Sequence, residues 1–412
     1  MPVQTTALSG ATIQQILQSA VDLAVEEQLI YAQSPLAVVP PGGVISRGNN
    51  WSTLAFAFAN ELPPNTTAIS ETADITPRTV RYSSVVLTLS GYADAVQLSK
   101  PLEFQATPDV VGVAGGQVSR QLGRTIDYLA RSQAIGGNSV VFGGDAVSRA
   151  TVSNLATADQ LAFGNFLDAI AYLDAAPKLP GMGMGAGSGI AAITRRAVLA
   201  DLIEDGTLIV WGQQGDPTGD WLLNGEIGRH VSGVRIIESN FAKIFNGAGG
   251  SGAATSNNLL TPANALSTSM GTSAALSSDG AGTYLTVGTI ESTANGEQAV
   301  TEVVLQTGSS ATTTITFVGA GANGGLKYDH SSGVGVTHAY QVYTTLFMGA
   351  EALMKGYAGE WGEFGQVLPP DVSGLAKQFN TMAWHWYGGF ARKSENRLFR
   401  IEHSAARYTL GN

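Results

Sequence analysis

Chemistry needs particular residue types at particular spacings, and this chain offers four places to look. The five histidines, His230, His330, His338, His385 and His403, are scattered, and no His-Glu-x-x-His pair sets two imidazoles on one helix face to hold zinc. Residues 181–189, "GMGMGAGSG", look at first like a phosphate loop. They lack the Gly-Lys-Ser/Thr that reaches β- and γ-phosphates, and Ala186 and Ile190 stand where a nucleophile elbow around Ser188 needs glycine. The spacing G-x-G-x-x-G is met once, by Gly319, Gly321 and Gly324. The residues after it, "LKYDHSSGVG", cannot open the helix whose N-terminus must meet a pyrophosphate. There is no cysteine, so disulfides, thiol catalysis and zinc-thiolate sites are excluded. The sequence therefore names no catalytic, cofactor-binding or metal residue, and the expectation is a protein that is not an enzyme.

The fourth place is "WHWYGGFARKSENRLFRIE", residues 384–402, where aromatics alternate with three arginines and a lysine. Rings interleaved with cations can stack on nucleic acid. They can also close a core or grip a neighbouring subunit. The first use calls for a basic surplus, and the chain carries a net charge of −10. Core and contact is the reading favoured, with Trp384, Trp386, Tyr387, Phe390, Phe399 and Ile401 packed in one domain.

The elements that must position these residues are read from periodicity. Ile13, Ile16, Leu17, Ala20 and Ala24 recur at helical spacing, predicting an amphipathic helix over 10–30. From 44 to 100 the period is two, and the proline-punctuated "ELPPNTTAISETADITP" predicts the tip of a long β-hairpin. Val111, Ala114, Val118, Leu122, Ile126 and Leu129 form one stripe of a helix over 110–134, about 37 Å long, with Arg120, Arg124, Asp127 and Arg131 off it. Thr157 and Gln160 suggest a capping box opening a helix over 158–175, and Thr194 an N-cap for one over 195–205 that stops at Gly206.

After Phe245 the composition changes. Residues 246–336 contain one lysine and neither arginine nor tryptophan. "TYLTVGTI", "TEVVLQT" and "TTTITFV" read as strands of a small β-domain, since three strands sharing an apolar face can hold together. For 246–280 a linker is the open alternative. Helical and aromatic signals resume near Tyr340, so the segment is an insertion.

Over the whole chain, hydrophobic residues make up 44% but charged residues only 13%, about half the usual share. So sparse a charge suits a surface that is mostly contact with other proteins. The opening residues have neither the basic nor the apolar region of a secretory signal, and no apolar run of about 18 residues offers a membrane span.

"GEIGRHVSGVRIIESN", residues 225–240, carries a Gly-Glu-Ile-Gly element, a short gap and a Gly-Val-Arg strand ending in Glu. With "LTLSGYADAVQLSK", "AITRRAVLADLIED", "YQVYTTLFMGAEALMKGYAG" and "MAWHWYGGFARKSENRLFRIEHS" in that order, the chain resembles the major capsid proteins of tailed bacteriophages. These have the Hong Kong 97-like shell fold, and the resemblance is nearest to the N4-like phage family. It covers about 30–245 and 338–405, and departs from the pattern at the insertion. It implies an α+β fold with an N-terminal arm over 1–43, an extended β-hairpin loop over 44–100 and a peripheral domain with a spine helix over 101–156. An axial domain over 157–245 is then interrupted by the β-rich insertion at 246–337 and resumed over 338–412.

The function implied is a structural subunit assembling, as hexamers and pentamers, into an icosahedral shell around double-stranded DNA. The resemblance further implies no cofactor, no membrane, a portal and possible decoration proteins as partners, and a place in the virion after assembly in the host bacterial cytoplasm. No long helical pro-region precedes residue 30, so a separate scaffolding protein is expected. The competing reading is a surface adhesin or carbohydrate-binding β-protein, which the composition of 246–337 would suit; an uncharacterised enzyme is disfavoured by the failed motifs.

Overall fold

A computed structural model describes residues 29–33, 36–46, 52–59, 62, 64–66, 77–101, 110–152, 159–173, 190–204, 234–245, 257–273, 284–288, 301–308, 313–319, 321, 324–338, 341–373 and 378–405. The helix expected over 10–30, the hairpin tip, "GMGMGAGSG" and the Gly-Glu-Ile-Gly element lie largely or wholly outside them. The chain divides into two compact units, Met1–Ala134 with Glu351–Lys393, and Ile135–Ala350 with Ser394–Asn412.

The first unit is built on the 14-residue strand Phe379–Arg392. One edge of it takes Leu353–Ala358 and Gln366–Ser373 in succession; the other takes Ser90–Ser99 over ten consecutive pairs. Short parallel strands Ala37–Val38 and Val44–Ile45 extend the sheet beyond Leu353–Ala358. The 44–100 region therefore does two jobs. Thr53–Ala59 and Tyr82–Thr88 form a two-stranded ribbon, while Ser90–Ser99 belongs to the six-stranded sheet. At the ribbon's root Gly389 is obligatory, because a Cβ there would lie 2.1 Å from the Thr88 carbonyl oxygen.

The long helix runs Val110–Ile135, as its stripe predicts. Its buried side is wider than the stripe, however. Asp127 and Arg131, expected off it, are 0% and 3% exposed.

The second unit holds a sheet in the order Val140–Phe142, Leu398–His403, Val342–Met348, Ile190–Thr194, Val234–Glu238, with Ile244–Phe245 also on Val342–Met348. Val342–Met348 and Leu398–His403 are buried at every position, as central strands covered on both faces must be. Helices Phe163–Leu173 and Arg196–Glu204 supply Phe166, Leu173, Val198 and Leu202 to a core shared with Ile236, Phe347 and Phe399. The Phe166 and Phe347 rings meet edge to face at 5.2 Å. Both helices start later than expected. Gln160 bridges to Ser404, and it is Asn165 that accepts the Ala162 N–H at the entry to the first. Thr194 ends a strand, its hydroxyl bonded to Thr345 instead of capping the second.

The insertion contains all three strands read from its sequence, as Tyr284–Val287, Glu302–Gln306 and Thr314–Val318, and three more: Asn257–Asn258, Ser269–Gly271 and Gly335–His338. Hydrogen-bonded pairing runs through six strands from Asn257–Asn258 to Ser269–Gly271. Those two ends then meet through the Leu259↔Thr272 bridge, with Leu260 N–H donating to Gly271 and Ser273 N–H to Asn258, each at 2.9 Å. The sheet closes into a small barrel around Leu285, Val287, Val304, Ile315, Phe317, Leu326 and Val336. Among the described residues, closure leaves no edge strand of this sheet unpaired.

Candidate assembly surface

The sequence-level candidates for chemistry fall at separate places in the fold. Gly319, Gly321 and Gly324 lie in a turn folded back on itself. Gly319 N–H donates to Gly324 O at 2.7 Å, Gly321 N–H to Gly325 O at 2.8 Å and Gly324 N–H to Gly321 O at 3.1 Å. A Cβ on Gly321 would sit 2.1 Å from the Leu326 carbonyl oxygen. The glycines thus serve close backbone approach, and their donors are already spent on carbonyls rather than free for phosphate. Among the described residues no group of three metal-ligating side chains exists.

The histidines whose side chains are described, His330, His385 and His403, each have partners of their own. His403 is wholly buried; its Nδ1 lies 2.9 Å from the Ser404 carbonyl, which can only accept, so Nδ1 carries the proton. Nε2 then accepts from the Thr345 hydroxyl at 2.9 Å, which continues to Thr194. Burial pushes the His403 pKa down to about 4. His330, in the barrel, pairs with buried Glu302 at 2.8 Å, and the same carboxylate accepts the Lys327 and Tyr328 N–H groups. His385, lowered in pKa by burial, lies against Trp361 with ring centroids 4.2 Å apart.

Other buried charges knit strands together. Arg149 grips Glu402 with two hydrogen bonds of 2.7 Å and lays its guanidinium 3.4 Å from the Phe245 ring centre; Arg400 adds an ion pair to the same carboxylate at 2.9 Å. Lys355 is wholly buried beside Phe364 and Phe390, its pKa lowered by that burial against the pull of Glu363 at 3.2 Å. Asp127 accepts three successive backbone N–H groups, from Ile30, Tyr31 and Ala32, on one oxygen at 2.9, 2.7 and 3.1 Å. Burial still raises its pKa, outweighing those donors and Arg131. Sequence reading missed this clasp; the one signal for it was the only carboxylate in a 26-residue helix.

The aromatic stretch divides. Trp384, Trp386 and Phe390 are 3%, 0% and 6% exposed and belong to the first unit; Phe399 and Ile401, 5% and 0%, belong to the second. Tyr387, expected with them, is only half-buried, so the burial expected is present for five of the six and the single core is not. Trp386 stacks on Tyr92 at 5.9 Å and donates Nε1–H to the Glu363 carbonyl, while Trp384 Nε1–H donates to Gln121. With both indoles enclosed and satisfied, neither offers a face to a base.

What the first unit does expose is apolar backbone-rich surface. On the ribbon, Leu54, Phe56, Val85 and Leu87 face inward against Met354 and Ala391. The reverse face pairs Ala55 with Val86, Ala57 with Ser84 and Ala59 with Tyr82, leaving Val86 56% and Tyr82 70% exposed. A ribbon of two strands has marginal stability alone, and among the described residues no third strand joins it.

No protein-family model matches the sequence, and no curated protein matches it. Solved structures do. A chain from the capsid of Ralstonia phage GP4 superposes with a TM-score of 0.53 over 93% of this chain and 93% of its own, at 9% identity. This is a phage capsid fold. A chain of the cyanophage P-SCSP1u capsid agrees, with a TM-score of 0.50 at 12% identity over 92% of this chain and 89% of its own. At these identities the likeness speaks for the path of the backbone, including the mixed sheets and few helices, and for nothing finer.

Proposed function

We propose that this chain is the major capsid protein of a tailed bacteriophage, a subunit that self-assembles into the icosahedral shell enclosing the double-stranded DNA genome. One observation carries the reading: the backbone follows that of a phage capsid chain over 93% of both. The physical character of the chain supports it. Among the described residues, His330, His403, Lys355 and Asp127 are each held by partners inside the subunit. Charge is sparse, and the ribbon presents an apolar face that a neighbouring copy would cover.

In this reading the fold is of the Hong Kong 97-like kind, and the sequence motifs place it nearest the N4-like phages. Residues 1–43 are the N-terminal arm, 44–100 the extended loop, 101–156 the peripheral domain with its spine helix, 157–245 and 338–412 the axial domain, and 246–337 the insertion. Copies form hexamers and pentamers in the virion, assembled in the host cytoplasm with a separate scaffolding protein, a portal and possible decoration proteins. It performs no catalysis and holds no cofactor. Negative-stain electron microscopy of the purified full chain tests the proposal. Closed icosahedral particles are expected, and a monodisperse small oligomer under all assembly conditions overturns it.

A further inference from the structure

The long helix Val110–Ile135 carries one carboxylate, Asp127, and that carboxylate is buried on the N–H groups of residues 30–32. The charges left on its exposed side are Arg120 and Arg124, one turn apart on the same face, each exposed and each without an ion pair or hydrogen bond among the described residues. The chain as a whole has 32 carboxylates against 22 lysines and arginines. One described acid, Asp94, bonds to the neighbouring Gln121 and not to either arginine. It accepts from the Gln121 amide and from its own neighbour's N–H, while Gln121 takes the Trp384 indole N–H on its oxygen. The helix surface around the pair is low: Gly116, exposed with nothing within 4 Å of where a Cβ would stand, and Gln117 precede it.

We infer that Arg120 and Arg124 are a contact for the phosphate backbone of duplex DNA, a point on the subunit where the enclosed genome touches the wall. This rests on the capsid reading. Net charge and local charge act at different ranges. At physiological salt the Debye length is about 8 Å, so the −10 of the chain is largely screened from a phosphate farther away, whereas guanidinium groups act at contact. Each also presents a donor fork matched to phosphate oxygens. Two contacts without base readout give a grip that is weak, sequence-independent and repeated in every copy, which lets packed DNA shift while it is held.

The test uses the full chain, a fluorescent duplex of about 30 base pairs and a salt series, with microscopy of particles in parallel. Each phosphate neutralised steepens the fall of log affinity with log salt by about 0.9. Replacing both arginines by glutamine should flatten the slope by about 1.8, so that the loss of affinity between 50 and 200 mM salt becomes about tenfold smaller. Arg120→Lys with Arg124→Lys should keep the slope. Unchanged affinity and slope in the glutamine variant overturn the inference, as does absence of duplex binding by the unaltered chain at low salt. A glutamine variant that stops forming particles yet keeps the DNA slope also overturns it, assigning the pair to contact with a second copy. Small oligomers from the unaltered chain would instead count against the capsid reading, which the duplex assay does not touch.

Discussion

At the scale of the residue, several buried ionisable and aromatic groups of this protein hold strands and segments in place. Trp386 is the largest fully buried side chain and touches Tyr92, Phe390 and the Glu363 carbonyl. Trp386→Ala should cost about 3–5 kcal/mol, read as a lowered urea midpoint, and a variant of normal stability would show that this stretch is not core. Asp127 makes a sharper contrast. Asp127→Ala strands three buried N–H groups at about 1–3 kcal/mol each, whereas Asp127→Asn keeps an oxygen for them and sheds a charge that burial already disfavours. The alanine variant should be the less stable of the two by at least about 2 kcal/mol; equal losses would mean that the clasp contributes nothing. His403 sets a pH dependence. It is held neutral in the fold with a pKa near 4, so only the unfolded chain takes up its proton between the ordinary 6.5 and that value. Stability is therefore full above pH 6.5 and falls as pH drops toward 4, by about 3 kcal/mol at most. Urea unfolding at both ends of this window should show the loss, and His403→Gln should remove it; an unaltered slope in the variant would assign the dependence to other groups.

At the scale of the element, the insertion is a device complete in itself. Its barrel is closed by the 259↔272 bridge and filled by its own side chains, so it needs no neighbour to cover an edge. Its point of attachment is narrow: Phe245 and Val342, on either side of it, are paired residues on adjacent antiparallel strands, and Tyr343 pairs with Ile244. Partners across an antiparallel ladder are about 5 Å apart, a distance that a few residues span. Replacing 250–335 by a short Gly/Ser linker should therefore leave a soluble subunit whose particles look the same apart from lost outer density. Insoluble chain would show that the barrel supports the main core. The ribbon is the opposite case, with one face docked and the other bare, and it is the element with most to gain from a second copy.

At the scale of the whole molecule, the proposed shell brings together copies that each carry a net charge of −10, through apolar and backbone contacts and against their mutual repulsion. Screening shortens the range of that repulsion from about 30 Å at 0.01 M salt to about 10 Å at 0.1 M and leaves apolar burial intact. Light scattering across that interval should show the concentration needed for assembly falling as salt rises. A rising threshold would mean that ion pairs between copies dominate, contrary to a contact made by the bare apolar face of the ribbon.

Much of this was legible in the sequence because it is local. Apolar spacing placed the long helix to within a residue of its C-terminal end, and alternation located three barrel strands. The composition change after Phe245 coincides with the barrel, since a closed barrel of short strands draws on small and β-branched residues. Tertiary structure decided what depends on partners distant in the chain. Asp127 reads as a surface residue until the N–H groups of residues 30–32 arrive to receive it. "WHWYGGFARKSENRLFRIE" reads as one core because nothing local shows that the chain leaves one unit at Lys393 and enters the other at Ser394. Ser90–Ser99 has the same period as the ribbon, and only its pairing with Phe379–Arg392, nearly three hundred residues on, removes it from the hairpin. A strand's period fixes which side chains share a face; which strand lies beside it is set by the burial of that face, and burial exists only once the distant segment is in place.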